Sequence, residues 1–249
     1  MVIKALLLLV ILLASAASEA KKPFKILIID SGVANAPAFS RVSGDKYDAM
    51  GHGTHITGLI LYGKFDGSFK NELCSRVEIE MCNFVVLKGD GDVKTIDLSD
   101  MSKYEACLKK AELGNYDVVN MSLSGRPFSE EEHRSINLIT KKGTRVVVAA
   151  GNEGKDFSEI PQYPAMHKYK IEKPGMMTVV ANGKSYKDRA PSSSFGVEVD
   201  SWIDGRNVPS IGYSYKDDHQ VLNQEPRLMT GTSQSAALYT RILARRACK

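Results

Sequence analysis

The sequence is poor in several features that would point quickly to a function. It has one tryptophan and five histidines in 249 residues, and its formal net charge is only +4. Basic residues are scattered except in the C-terminal RILARRACK, which reads as a solvated helix end, so there is no nucleic-acid footprint. No CxxC or Cys/His spacing points to zinc. After residue 20 no stretch is long and apolar enough to span a membrane. Repeats, low-complexity segments and an interdomain linker are all missing. That leaves one domain of ordinary globular composition, 43% hydrophobic and 25% charged.

What is present starts at the N-terminus. Lys4 precedes an apolar run from Ala5 to Leu13, and small residues follow, with cuts after Ala16, Ala17 or Ala20. This is the layout of a secretory signal peptide, and the run is short of the roughly 20 residues of a spanning helix. The expectation is a signal peptide over 1–20 and one domain over 21–249. The protein is then exported (secreted or periplasmic), monomeric and without a stable membrane anchor. Cys74, Cys82, Cys107 and Cys248 form an even set that such a compartment permits to pair. Four cysteines allow three pairings. Cys74–Cys82 with Cys107–Cys248 is the most economical, and unlinked buried thiols remain an alternative.

Short β-rich runs alternate with helical stretches. KILIID (25–30), NFVVL (83–87), YDVVNMSL (116–123), TRVVVAAG (144–151) and MMTVVAN (176–182) read as strands buried on both faces. SDMSKYEACLKKAELG (99–114) and SEEEHRSINLITKKG (129–143) read as helices that stop at glycine. The second opens on a capping box, Ser129 with Glu132. The pattern predicts an α/β three-layer sandwich with a mainly parallel sheet. The stretches 155–175 and 182–227 hold most of the Pro, Gly and Ser and read as surface loops with short strands, the usual rim of a site.

Four segments fall where strands end or helices begin. In IIDSG, Asp30 closes an apolar strand, a place where ligands collect in open α/β sheets. In GHGTHITGLI (51–60), His52 stands between glycines that allow close approach, and His55 reads as a helix-start residue packed beneath. The two histidines lack a third ligand, so no metal is expected there. In VVVAAGNEG (146–154), the strand runs out at Gly151 and Asn152. In MTGTSQSAAL (229–238), Ser233 precedes a run of small residues that makes a good helix start. Each segment alone reads equally well as a turn or cap.

Together, and in this order, they resemble the catalytic segments of the subtilisin-like serine proteases (subtilases, peptidase family S8). VVNMSLSG (118–125) resembles that family's substrate-pairing strand, and the likeness runs from about Phe24 to Arg241. The resemblance implies a subtilisin-like fold and a serine endopeptidase acting on proteins or peptides. Asp30, His52 and Ser233 are then the triad and Asn152 the oxyanion donor, with no cofactor needed for catalysis. It also implies that Ser122, Leu123, Ser124 and Gly125 form one side of the substrate cleft and that Gly89–Val93 lies opposite. Ala149, Ala150 and Gly151 would line the primary pocket, with Glu153 and Gln162 near its mouth and base. A carboxylate there favours basic or polar substrate side chains.

The sequence departs from the family in three ways. Only about ten residues separate the expected cut from Asp30, so no prodomain is evident, and the expectation is an enzyme that folds without one or with a chaperone supplied elsewhere. Gln234 replaces the usual Met after the serine, and Ala237 the usual Pro. Sixteen residues follow Ser233, fewer than the family carries. Structural calcium is not recognisable, because GKFDGSFKNEL (63–73) offers only Asp66, Asn71 and Glu72 as scattered donors. The sequon at Asn120 lies in an expected buried strand and is discounted. The competing class is a catalytically silent protein-binding module on the same scaffold. A hydrolase with a GxSxG elbow is excluded because that motif is missing.

Overall fold

A computed structural model describes residues 22–249 apart from 67, 69, 71–72, 90–94, 126, 217–218 and 224. The expected signal peptide and most of the Gly89–Val93 segment lie outside the described residues, as do Asn71 and Glu72.

Seven parallel strands form the central layer. They are β1 (Phe24–Asp30), β2 (Val42–Gly44), β3 (Val77–Asn83), β6 (Val118–Met121), β7 (Arg145–Ala149), β8 (Met177–Asn182) and β9 (Ser201–Ile203). Their order is β2-β3-β1-β6-β7-β8-β9. The remaining strands pair off as antiparallel ribbons: β4 (Val86–Lys88) with β5 (Thr95–Asp97), β10 (Val208–Ser210) with β13 (Arg227–Met229), and β11 (Tyr213–Lys216) with β12 (His219–Leu222). Helices α1 (His52–Tyr62) and α4 (Thr232–Ala247) cover one face of the sheet; α2 (Ser102–Leu113) and α3 (Glu130–Lys141) cover the other.

The period-two geometry of a strand sends neighbouring side chains to opposite faces, and β1 shows what this does. Ile26 and Ile28 join the core under α1 and α4, while Leu27 and Ile29 join the core under α2 and α3. The order of chain entry reverses between β1 and β6. That crevice, outside the carboxyl ends of the strands, is where an α/β sheet binds its ligand.

The structure corrects three expectations. The sheet strand expected at 83–87 lies at Val77–Asn83, and Val86–Lys88 belongs to a ribbon. VEIEMCN alternates because only one face of this strand is fully covered. Val77, Ile79 and Met81 are buried, while Glu80 bonds Lys110 and Tyr116 at the margin. A search for unbroken apolar runs passes over such a strand. The loop region 182–227 also supplies a sheet strand, β9.

The disulfides join Cys74 to Cys248 and Cys82 to Cys107, not the economical pairs. A turn in which Val77 N donates to Cys74 O at 3.2 Å keeps Cys74 at the start of β3, and the strand then carries Cys82 about 16 Å beyond Val77, too far for the two to meet at the roughly 5.5 Å a disulfide needs. Cys82 instead faces α2 and meets Cys107, and Cys74 reaches the last turn of α4. The capping box is half realised. Ser129 Oγ accepts from Glu132 N at 3.2 Å, but the Glu132 carboxylate turns inward, with Oε2 2.6 Å from His167 Nε2 and Oε1 accepting from the Tyr104 hydroxyl.

Candidate active site

Asp30 is the last residue of β1 and only 1% exposed. Its Oδ1 accepts from Ser31 N at 2.7 Å and lies 2.8 Å from His52 Nδ1. His52 is the first residue of α1, whose N-cap, Gly51, takes the left-handed φ of 77° that favours glycine. A carboxylate can only accept, so Nδ1 carries the proton and Nε2 is left as an acceptor. Burial pushes the imidazole toward lower pKa. The charge and hydrogen bond of Asp30, with the Asp48 charge behind, more than offset this, and the pKa is raised. Close approach makes the contact possible. A Cβ on Gly53 would sit 2.1 Å from Gly32 O and 3.1 Å from Asp30 Oδ1, so any side chain there drives the helix off the strand.

Ser233 stands in the first turn of α4, its amide at the positive end of the helix dipole. Its hydroxyl donates to the Ser122 carbonyl at 2.9 Å, and no bond from it to His52 occurs among the described residues. Catalytic hydrogen bonds commonly close only with substrate in place. Asn152 follows the end of β7. Its Oδ1 accepts from Thr232 N at 3.0 Å and Thr232 Oγ1 at 3.2 Å, which leaves Nδ2 of this exposed side chain, close to Gly231, without a bond among the described residues. Residue Thr232, unremarked in the sequence, therefore fixes which end of the amide faces the cleft.

The structure brings Asp30, His52, Asn152, Ser233 and Ser122 to one rim. Ser122 is tied to the segment that carries Ser233, its Oγ 3.0 Å from both Asn120 Oδ1 and the Ser233 carbonyl. Leu123 and Ser124 continue along the cleft. Gly125 is used internally: its N–H donates to Tyr163 O at 2.8 Å and its carbonyl accepts from Tyr163 N at 2.7 Å. The polar backbone left for a substrate is thus that of residues 122–124. Ala149, Ala150 and Gly151 are buried at the end of β7, and Glu153 is exposed at the rim. Gln162 is 2% exposed and packs directly behind Gly151, its Oε1 2.9 Å from where a Cβ would be.

His55 lies beneath the site. It is fully buried, its Nε2 3.2 Å from Val208 O and 3.0 Å from Arg227 O, and burial lowers its pKa to about 4. It is neutral and structural. Beside Ser124 and Gly125 opens a cavity of about 450 Å³ with apolar walls that include Leu98, Met101 and Leu123. Sequence reasoning missed Asp48, Ser31 and Thr232. All three act on main-chain N–H groups or carboxylates nearby, and the only trace is a polar turn, DKYDAMG, ahead of a helix whose N-cap has no side chain.

The model of the subtilase family matches residues 21–247. The chain belongs to the subtilase family of serine peptidases. Subtilisin-like protease 6 of Trichophyton verrucosum is 29% identical over 168 residues, 66% of this chain and 37% of that protein. Minor extracellular protease Epr of Bacillus subtilis is 28% identical over 227 residues, 86% of this chain and 30% of that protein. The chain therefore spans about a third of the length of these curated relatives. A cold-adapted subtilisin-like serine proteinase has the same fold, with a TM-score of 0.66 at 21% identity over 90% of this chain and 75% of that one. A lanthipeptide protease aligns with a TM-score of 0.63 at 17% identity, over 89% of this subtilase and 72% of that chain.

Proposed function

We propose that this subtilase is an exported serine endopeptidase that cleaves protein or peptide substrates as a monomer, through Asp30, His52, Ser233 and Asn152. The observation that carries the reading is the Asp30–His52 contact at 2.8 Å on the rim where Thr232 turns the Asn152 amide toward the cleft. A substrate strand lying along 122–124 competes for the Ser122 carbonyl and releases the Ser233 hydroxyl. His52 Nε2 then takes the hydroxyl proton as Oγ attacks the substrate carbonyl carbon. Asp30 holds the tautomer and stabilises the imidazolium. Asn152 Nδ2 and Ser233 N–H donate to the oxyanion of the tetrahedral intermediate. His52 returns its proton to the departing amine, and water repeats the sequence on the acyl-enzyme. Every proton moves between side chain, substrate and water, so the chemistry needs no cofactor.

Export is supported by the two disulfides, which persist in oxidising compartments, and by the charged, apolar and small-residue order of 1–20. The primary pocket is short, because Gln162 occupies the space behind Gly151. A small or polar side chain therefore suits it better than a bulky apolar one.

The test is labelling of the purified protein with a fluorophosphonate, which reacts only with an activated serine. Labelling lost in both Ser233→Ala and His52→Ala supports the endopeptidase. No labelling of folded wild-type protein supports the silent binding module instead. Asn152→Ala is expected to lower peptide hydrolysis by about 10²–10³-fold, the range known for this donor in subtilisin. Unchanged hydrolysis would remove Asn152 from the mechanism.

A further inference from the structure

Asp48 lies in the turn before α1 and is fully buried. Its carboxylate accepts four hydrogen bonds. Oδ1 takes those of Ser31 Oγ at 2.8 Å, Met50 N at 3.0 Å and Gly51 N at 2.8 Å, and Oδ2 takes that of Thr54 N at 2.8 Å. These donors belong to both catalytic elements. Ser31 directly follows Asp30, while Gly51 and Thr54 bracket His52. Ser31 Oγ also accepts from Gly53 N at 2.9 Å, so one hydroxyl stitches Asp48, the strand end and the helix start together. From a third side, the Tyr213 hydroxyl and Gln220 Nε2 of the β11–β12 ribbon donate to the Asp48 main-chain carbonyl.

A turn-forming aspartate needs one or two such bonds. This one has four, and among the described residues no cation forms an ion pair with it. The ionisable groups that face this corner are Asp30 on β1, His52 on α1, Tyr213 on β11 and Arg227 on β13. A buried carboxylate whose charge is met only by N–H and O–H dipoles keeps that charge available to a neighbour.

We propose that Asp48 is a positioning residue for the catalytic histidine, locking the start of α1 to the end of β1 and setting a second negative charge near the imidazole. The inference rests on His52 being the general base. It is consistent with the charges acting on that ring: burial lowers its pKa, Asp30 raises it most, Asp48 raises it further and Arg227 opposes.

The experiment measures the fluorophosphonate labelling rate against pH for the wild type, Asp48→Asn, Ser31→Ala and His52→Ala. Asp48→Asn removes the charge and keeps the shape. Its acid midpoint moves to lower pH, because imidazolium loses a stabilising anion, and its plateau rate falls about tenfold through misplacement of the ring. Ser31→Ala keeps the charge and cuts the stitch, so its plateau falls with the midpoint in place. A midpoint in Asp48→Asn equal to that of the wild type overturns the electrostatic role, and a wild-type plateau in the same variant overturns the positioning role. Should Asp48→Asn fail to fold, Ser31→Ala decides: a wild-type plateau overturns the positioning role, and a lowered one supports it. His52→Ala separates the two readings, since labelling at the wild-type rate there removes the base itself, whatever Asp48 does.

Discussion

His52 and Asp30 meet at the carboxyl ends of the strands, 2.8 Å apart; His167 and Glu132 meet on the α2–α3 side of the sheet, 2.6 Å apart. By contact alone the two pairs are alike. They differ in what the second ring nitrogen can reach. The His52 side chain, at the start of α1, is 24% exposed. The His167 side chain is sealed among Phe128, His133 and Tyr163, and its Nδ1 is buried without a hydrogen-bond partner among the described residues. A histidine on a carboxylate is therefore half of a catalytic device. For the proposed hydrolysis the other half is an open face beside a nucleophile and an oxyanion donor, and of these two pairs the one at the α1 corner has the open face. The α3 pair holds together the floor of the cavity instead.

The comparison breaks if exchanging the two histidines for inert residues gives similar phenotypes. His52→Ala is expected to lower peptide hydrolysis by about 10⁴–10⁶-fold, with the thermal midpoint nearly unchanged, because a partly exposed ring at a helix start contributes little packing. His167→Leu fills the same volume but leaves the buried Glu132 carboxylate with Tyr104 alone. It is expected to cost about 3 kcal/mol of stability, with hydrolysis per folded molecule within about threefold of wild type, since the pair touches no reacting atom. Denaturant melts and active-site titration on the same samples separate the two effects. A stable, inactive His167→Leu would contradict the assignment.

Much of the α1 corner was legible in the sequence, and much of its support was not. Asp30, Asn152 and Ser233 are polar residues at the ends of strongly apolar or small-residue runs, which is a local signal. His52 is marked by its flanking glycines, although Gly53 makes room for the chain's own strand end, Gly32 and Asp30, and not for a substrate backbone as expected. Asp48 is different. Three of its four partners are main-chain N–H groups, which every residue but proline carries, and the fourth is the hydroxyl of a serine 17 positions away, so nothing in the letters distinguishes it from an ordinary turn aspartate. The same holds for the disulfides, which depend on which face of β3 Cys82 occupies. Strand β3 itself was missed because a half-covered strand alternates. Long-range placement, not residue chemistry, carried the missing information.

His52 and His55 sharpen the contrast within one helix, because burial without an anion acts oppositely to burial beside one. The His52 pKa is raised, so its contribution to stability is present at low pH and fades as pH rises through the folded value. That of His55 is lowered to about 4 from 6.5. Its contribution is present above pH 6.5 and is lost as pH falls toward 4, where the unfolded chain binds a proton that the folded one refuses. The loss over that window is about 3 kcal/mol. His55→Gln keeps an amide donor for Val208 O and Arg227 O but cannot titrate. Its stability should be flatter than wild type between those pH values, by urea melts at each. Parallel curves would mean that His55 is not held neutral.

The smallest effect concerns the other pair. Glu132 stands at the third position of a capping box, where a carboxylate ordinarily returns to the N-cap N–H and glutamine serves equally well. Here it bonds His167 and Tyr104 instead, so the box is only the Ser129 half. Ser129→Ala should then cost about 1 kcal/mol, the usual value for a lost N-cap. Glu132→Gln should cost more, about 2 kcal/mol, because one of two charge-assisted bonds in a buried site is replaced by a mismatched donor. Equal and small losses in both variants would restore the full capping box and detach Glu132 from His167. A larger loss in Glu132→Gln, unaccompanied by any change in hydrolysis per folded molecule, would place that pair in the architecture of the cavity and outside the chemistry.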